Sequence, residues 1–168
     1  MGREHPADRG RRDLRTAGRT LRRGPAALTG EPLVLHATAV AVDGRAALIQ
    51  GPSGSGKSAL ALEMMARGAV LVSDDRVILR DQDGELVASA PDPIQGMIEA
   101  RGVGLLGADT VPHAAVCVVV DLTRTESDRL PPRRTVSLLS REVALLHKVE
   151  HPHFAAALVQ YLKGGRKE

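Results

Sequence analysis

The sequence predicts an α/β fold built around a phosphate-binding loop. Three observations predict it. Gly51-Pro52-Ser53-Gly54-Ser55-Gly56-Lys57-Ser58 fits the pattern G-x-x-x-x-G-K-[ST] at every fixed position. The stretch stands between a short apolar run, Arg45–Gln50, and a run of strong helix formers, Ala59–Ala66, giving strand–loop–helix order. Most of the remaining chain is short apolar runs divided by tight-turn pairs such as Asp43-Gly44 and Asp83-Gly84.

Taken in order, residues 1–30 form an Arg-rich segment without hydrophobic periodicity and read as a disordered tail. Residues 31–168 then form one domain, which a chain of 168 residues can stabilise without staples. Leu33–Val42 reads as one strand, turning at Asp43-Gly44 into Arg45–Gln50, which feeds the loop. Ser58–Arg67 is the helix, closed by Gly68. Ala69–Ser73 is a strand that delivers Asp74 and Asp75. Arg76–Arg80 and Glu85–Ala88 form a hairpin about Asp83-Gly84, and Pro91-Asp92-Pro93 a rigid loop. Met97–Ala100 leads into the glycine-punctuated loop Arg101–Gly107. Ala114–Val120 is a buried strand, Thr123–Arg134 a polar, mobile loop, Val136–Leu139 a strand, and Glu142–Lys163 a helix broken near Pro152.

Composition narrows the function. One Phe, one Tyr and no Trp leave no platform for stacking bases, so no nucleic-acid partner is expected. The single cysteine, Cys117, sits in an apolar run and reads as a core thiol, without a disulfide. There is no apolar stretch long enough to span a membrane and no signal-peptide pattern, so the expected compartment is the cytoplasm. The formal charge of +3 is uneven: Met1–Arg23 holds eight arginines against three acids, and the rest of the chain is slightly acidic.

The chemistry of the loop follows from its residue types. Glycines let backbone N–H groups turn inward onto phosphate oxygens. Lys57 can reach the β- and γ-phosphates, and the Ser58 hydroxyl suits Mg²⁺, a hard cation. The pattern therefore predicts binding of a nucleoside triphosphate, ATP, with Mg²⁺. Asp74 and Asp75, at a strand end just after the helix, supply more carboxylate than one metal contact needs. One of the two suits the cation and the other suits a base that takes a proton from an attacking hydroxyl. Glu99 and Arg101, beside Gly102 and Gly104, could add a second metal or phosphate contact. Taken alone, His36 reads as structural, Arg129 as a solvated loop residue, and His151 and His153 as surface residues.

Assembled, Leu35 to Leu139 resembles the catalytic domain of HPr kinase/phosphorylase. The resemblance rests on His36, the loop Gly51–Ser58, the helix with Gly68, and Val72-Ser73-Asp74-Asp75-Arg76-Val77. It continues through Ile98-Glu99-Ala100-Arg101-Gly102-Val103-Gly104, similar to the family's E-I-R-G-L-G, and Asp128-Arg129-Leu130. It implies a phosphoenolpyruvate-carboxykinase-like core with a mixed β-sheet and flanking helices. It also implies an ATP- and Mg²⁺-dependent serine kinase, or kinase and phosphorylase, acting on an HPr-like phosphocarrier within a ring-like homo-oligomer, a hexamer. By the same resemblance Lys57 would contact the transferring phosphate, Ser58 and Glu99 would hold Mg²⁺, His36 would be a catalytic-site residue, and Arg129 would reach the phosphoryl group; of the strand-end pair, Asp74 is the carboxylate assigned to the cation. One of Asp74 and Asp75 would be the base, with Asp75 preferred. Three departures stand beside this. An N-terminal domain of longer members is replaced by the Arg-rich tail, as in a short form of the enzyme. The V-R-P-G-R-N segment tied to dephosphorylation is echoed only loosely by Leu139-Ser140-Arg141-Glu142. The C-terminal helix that contacts HPr in longer members aligns poorly with Glu150–Lys163. Two other readings fit the same loop: a small-molecule kinase, and a non-catalytic ATP-sensing module.

Overall fold

The computed structural model describes residues 29–168. The Arg-rich tail lies outside the described residues except for its last two positions, which open the first strand. The elements are β1 (Thr29–Leu35), β2 (Ala37–Val42), β3 (Arg45–Gln50), α1 (Lys57–Met65), β4 (Val70–Ser73), β5 (Val77–Gln82), β6 (Glu85–Ser89), β7 (Met97–Ala100), β8 (Gly104–Gly107), β9 (His113–Thr125), β10 (Arg134–Leu138), β11 (Arg141–Lys148) and α2 (Phe154–Gly164).

Nine strands form one mixed sheet with the order β1-β5-β6-β9-β3-β2-β4. The hub is β9. One of its edges runs parallel to β3, with Gln50 opposite Asp121. Its other edge takes β6 antiparallel at Ala114 and Ala115, then β11 parallel from Val118 onward. β10 continues the sheet beyond β11. β7 and β8 form a separate two-stranded hairpin.

Both faces of the central strands are covered, so their side chains alternate between two apolar cores. Ala47 and Ile49 of β3 join Val118 and Val120 of β9 under α1 and α2, with Met64, Leu158 and Leu162 from the helices. Ala46 and Leu48 turn the other way, to Val119, Val77, Leu79 and Leu86. A fully buried Leu or Ile stabilises by roughly 2 kcal/mol relative to exposure. This double burial explains why the central strands read as continuous apolar runs.

Local chemistry placed most boundaries. Asp43-Gly44 and Asp83-Gly84 are two-residue turns with both φ angles positive, the type I′ geometry that matches strand twist. Gly68, at φ +101°, ends α1, and the Ala69 N–H returns to the Met64 carbonyl at 3.1 Å.

Four expectations needed correction. The single strand Leu33–Val42 divides at His36, because β1 pairs with β5 whereas β2 pairs with β3 and β4. Arg101–Gly107 is largely the turn and second strand of the β7–β8 hairpin. β9 runs on to Thr125 and β10 begins at Arg134, so the irregular segment is shorter, 126–133. Its root is pinned: Glu126 bonds Arg134 at 2.6 Å and accepts the N–H groups of Ser127 and Asp128. Last, Glu142–Lys163 is not one helix. Its first third is β11, in which Val143 and Leu145 face one core and Ala144 and Leu146 pack against the other. A strand apolar on both faces cannot be told from a helix by periodicity. The break near Pro152 is found, and α2 starts at Phe154.

Candidate active site

β3, held between β2 and β9, ends at Gln50 and releases the phosphate loop. Gly51 is needed there for space: a Cβ would stand 2.5 Å from Ser55 Oγ and 3.2 Å from Leu122 Cβ. Gly56 is needed for conformation, since it caps α1 at φ +96°. The free N–H groups at the start of α1 then make a site for an anion. Lys57 is only 7% exposed. Its ammonium donates to the carbonyls of Gly51 and Pro52 at 2.9 and 3.1 Å, folded onto its own loop. Ser55 Oγ is buried without a hydrogen-bond partner.

β4 brings the two aspartates, and the backbone separates them. Asp74 is 6% exposed. Its Oδ1 accepts the hydroxyls of Thr38 at 2.8 Å and Ser58 at 2.7 Å, and its Oδ2 accepts the Glu99 N–H at 3.0 Å. Asp75 stands at φ +69°, in a three-residue turn closed by the Arg76 N–H on the Asp74 carbonyl at 2.8 Å. A γ-turn with positive φ at its centre is rare and strained, and such strain clusters at functional sites. That turn points the Asp75 carboxylate outward, 61% exposed, with Oδ1 3.1 Å from His36 Nδ1. His36 reaches it from the break between β1 and β2.

The β7–β8 hairpin forms the opposite wall. Glu99, Arg101 and Val103 line the cleft, and an Arg101 nitrogen lies 3.7 Å from where a Gly54 side chain would begin. The cleft has a volume of about 460 Å³, within the usual range for small-ligand sites. Its lining brings together His36, Lys57, Ser58, Asp74, Asp75 and Glu99. Arg129 is not with them: it is exposed on segment 126–133 and does not line the cleft. His151 and His153 touch each other, Nδ1 to Nδ1 at 2.6 Å, ahead of α2. Thr38 was missed. Its signal was a hydroxyl in the row of helix-facing β2 positions that Val40 and Val42 continue.

The donors suit a hard cation beside a polyphosphate. Oxygen ligands are to hand in Ser58, Asp74 and Glu99, with Lys57 and Arg101 for phosphate. Among the described residues no three acidic, His or Cys side chains close around a point. Elsewhere, burial raises the Cys117 thiol above its ordinary value. Where β9 passes the end of β3, burial works against the Asp121 carboxylate, but the Thr123 hydroxyl and N–H bond it and hold its pKa low.

Known proteins similar to this chain share one description. The HPr kinase/phosphorylase of Clostridium beijerinckii is 46% identical over 77 residues, covering 46% of this chain and 26% of that protein. That of Geobacillus thermodenitrificans is 43% identical over 96 residues, 52% of this chain and 31% of the relative. That of Clostridium tetani is 33% identical over 116 residues, 65% and 38%. The chain thus matches about a quarter to two fifths of the length of these relatives. The solved HPr(Ser) kinase/phosphatase from Coxiella burnetii shares the fold, with a TM-score of 0.65 at 24% identity over 78% of this chain and 88% of that one. The family model for the HPr serine kinase C-terminal domain matches residues 29–133. From β1 to the segment beyond β9 that match takes in every element lining the cleft, and the chain belongs to the HPr serine kinase C-terminal domain family.

Proposed function

We propose that this domain is an ATP- and Mg²⁺-dependent serine kinase acting on an HPr-type phosphocarrier. The observation that carries the reading is the division of labour between the adjacent aspartates: Asp74 is buried and bonded three times, Asp75 exposed beside His36. A carboxylate whose lone pairs are largely engaged is a poor proton acceptor, and an exposed one at the cleft mouth can reach an incoming hydroxyl.

The loop N–H groups and the α1 N-terminus bind the phosphates of ATP. Lys57 exchanges its two carbonyl partners for phosphate oxygens, which costs the loop little because both states keep the ammonium bonded. Ser58, Asp74 and Glu99 would hold Mg²⁺, which when bound neutralises charge on the transferring group. Asp75, steadied by His36, accepts the proton of the carrier serine as its oxygen attacks in line, and returns it in the reverse direction. Arg101 supports the phosphates from the hairpin side. Arg129, given its role by resemblance, must come to the phosphoryl group from segment 126–133. We place the reaction in the cytoplasm and in a homo-oligomer. Among the described residues no helix is long and apolar enough to cross a membrane.

The test is transfer from γ-labelled ATP with Mg²⁺ to an HPr-type carrier from the same genome, with a carrier whose serine is changed to alanine as control. Label on the serine carrier alone is expected, with loss in Lys57→Ala and Asp75→Asn. Full activity in both variants overturns the site assignment. ATP bound with no transfer to any carrier overturns the reaction. Adding inorganic phosphate to the labelled carrier then tests dephosphorylation.

A further inference from the structure

Helix-facing positions on β2 alternate: Val40 and Val42 enter the core beneath α1. Thr38 continues their row and is fully buried. A buried hydroxyl destabilises unless bonded, and this one donates to Asp74 Oδ1. The Ser58 hydroxyl donates to the same oxygen, and the Glu99 N–H to the other. A carboxylate offers about four lone-pair positions. Both of those on Oδ1 are therefore taken, and one remains open, on Oδ2. A hydroxyl has a single proton. Ser58 commits its own to Asp74, so only lone pairs are left for anything else that approaches it.

We propose that Thr38 is a positioning residue for the metal edge of the cleft. It saturates Asp74 Oδ1, fixes the carboxylate plane, leaves Oδ2 as the oxygen available outside, and keeps the Ser58 lone pairs free for a divalent cation. The inference rests on the proposed reading that Ser58 and Asp74 hold Mg²⁺ beside ATP. Neither the family match nor the loop pattern assigns Thr38 any part. Its role belongs to the support that orients ligand groups, where substitution ordinarily weakens metal affinity while leaving the ligands in place.

The test compares wild type, Thr38→Val and Thr38→Ser by titration calorimetry of ATP, in EDTA and at rising Mg²⁺. Thr38→Val removes the donor at nearly constant shape. It is expected to raise the Mg²⁺ concentration for half-maximal enhancement of ATP binding by about tenfold. Affinity for ATP in EDTA should stay within about twofold, and Thr38→Ser should return the Mg²⁺ requirement to within about threefold of wild type. An unchanged Mg²⁺ requirement in Thr38→Val overturns the proposal. So does an equal loss of ATP binding with and without Mg²⁺, or a Ser variant that fails to restore it, since either marks a packing role. If Thr38→Val does not fold, Thr38→Ala, which also removes the donor, takes its place with the same outcomes. Wild-type ATP binding that ignores Mg²⁺ removes the metal reading and this inference together. The expected effects in the Thr38 variants, together with a wild type that phosphorylates no HPr-type carrier, remove the proposed reaction alone.

Discussion

Replacing each aspartate by asparagine separates their roles by stability as well as by activity. Asp74→Asn turns one acceptor oxygen into an NH₂ donor within a buried setting that supplies three hydrogen bonds. The Glu99 N–H cannot reverse, so the amide oxygen must stay with it. The NH₂ group then faces the Thr38 and Ser58 hydroxyls, both of which have to turn around. Two hydrogen bonds to a charged acceptor, each worth about 1.5–3 kcal/mol, are replaced by neutral ones, for a net loss of about 2–3 kcal/mol. In a chain of 168 residues this lowers Tm by about 5–10 °C. Asp75→Asn loses one contact between two groups each more than half exposed, which is worth about 0–1 kcal/mol. Asn also tolerates the positive φ at this position. Its Tm should stay within about 3 °C of wild type. The chain has no Trp and one Tyr, so the melts are followed by far-ultraviolet circular dichroism, in parallel with ATP binding and transfer. Both variants lose transfer, and only Asp75→Asn keeps the wild-type melt. Equal melts for the two variants, in either direction, would refute the assignment of one buried and one reactive carboxylate.

Three further outcomes follow from the geometry. Gly51→Ala forces a Cβ against Ser55 and Leu122; it should destabilise by about 1–3 kcal/mol and abolish ATP binding, read by melting and calorimetry. Glu126 is held below its ordinary value of about 4.5 by Arg134 and by the Asp128 N–H. Its folded pKa is depressed, so its stabilisation is full above the unfolded value of about 4.5 and is lost as pH falls from there through the folded pKa; urea midpoints between pH 7 and 3 should fall less steeply in Glu126→Gln. Ser140 sits at φ +62° in the two-residue turn between β10 and β11; Ser140→Gly should stabilise by about 0.5 kcal/mol without changing ATP binding, and a lower urea midpoint would contradict it.

What could be read from the sequence was whatever short-range chemistry decides. The phosphate loop, its feeding strand, the Gly68 stop and both Asp-Gly turns depend on residues a few places apart, and all stand where expected. What could not be read depends on partners far along the chain. Leu33–Val42 is apolar throughout, and only its two different neighbours, β5 and β3, divide it at His36. β11 looks helical until β9 covers one edge and both its faces meet apolar cores. Asp74 and Asp75 are adjacent letters with opposite surroundings, because a single positive φ turns one inward and one outward. Thr38 could have been found: a hydroxyl in an otherwise apolar row asks for a buried partner. Arg129 carries no such local signal, and its side chain stands apart from the cleft.

The cleft has one wall of each kind. The phosphate loop hangs from β3, whose amides are laddered on both sides by β2 and β9. These amides should exchange with solvent only on global unfolding. Glu99 and Arg101 ride on β7–β8, a ribbon paired only to itself, and two-stranded ribbons are marginal alone in water. Opening that hairpin breaks the Glu99 N–H bond to Asp74 and also draws Ile98, 1% exposed, out of the core beneath the helices. Hydrogen exchange at the β7–β8 amides would read the free energy of that opening, the burial of Ile98 included.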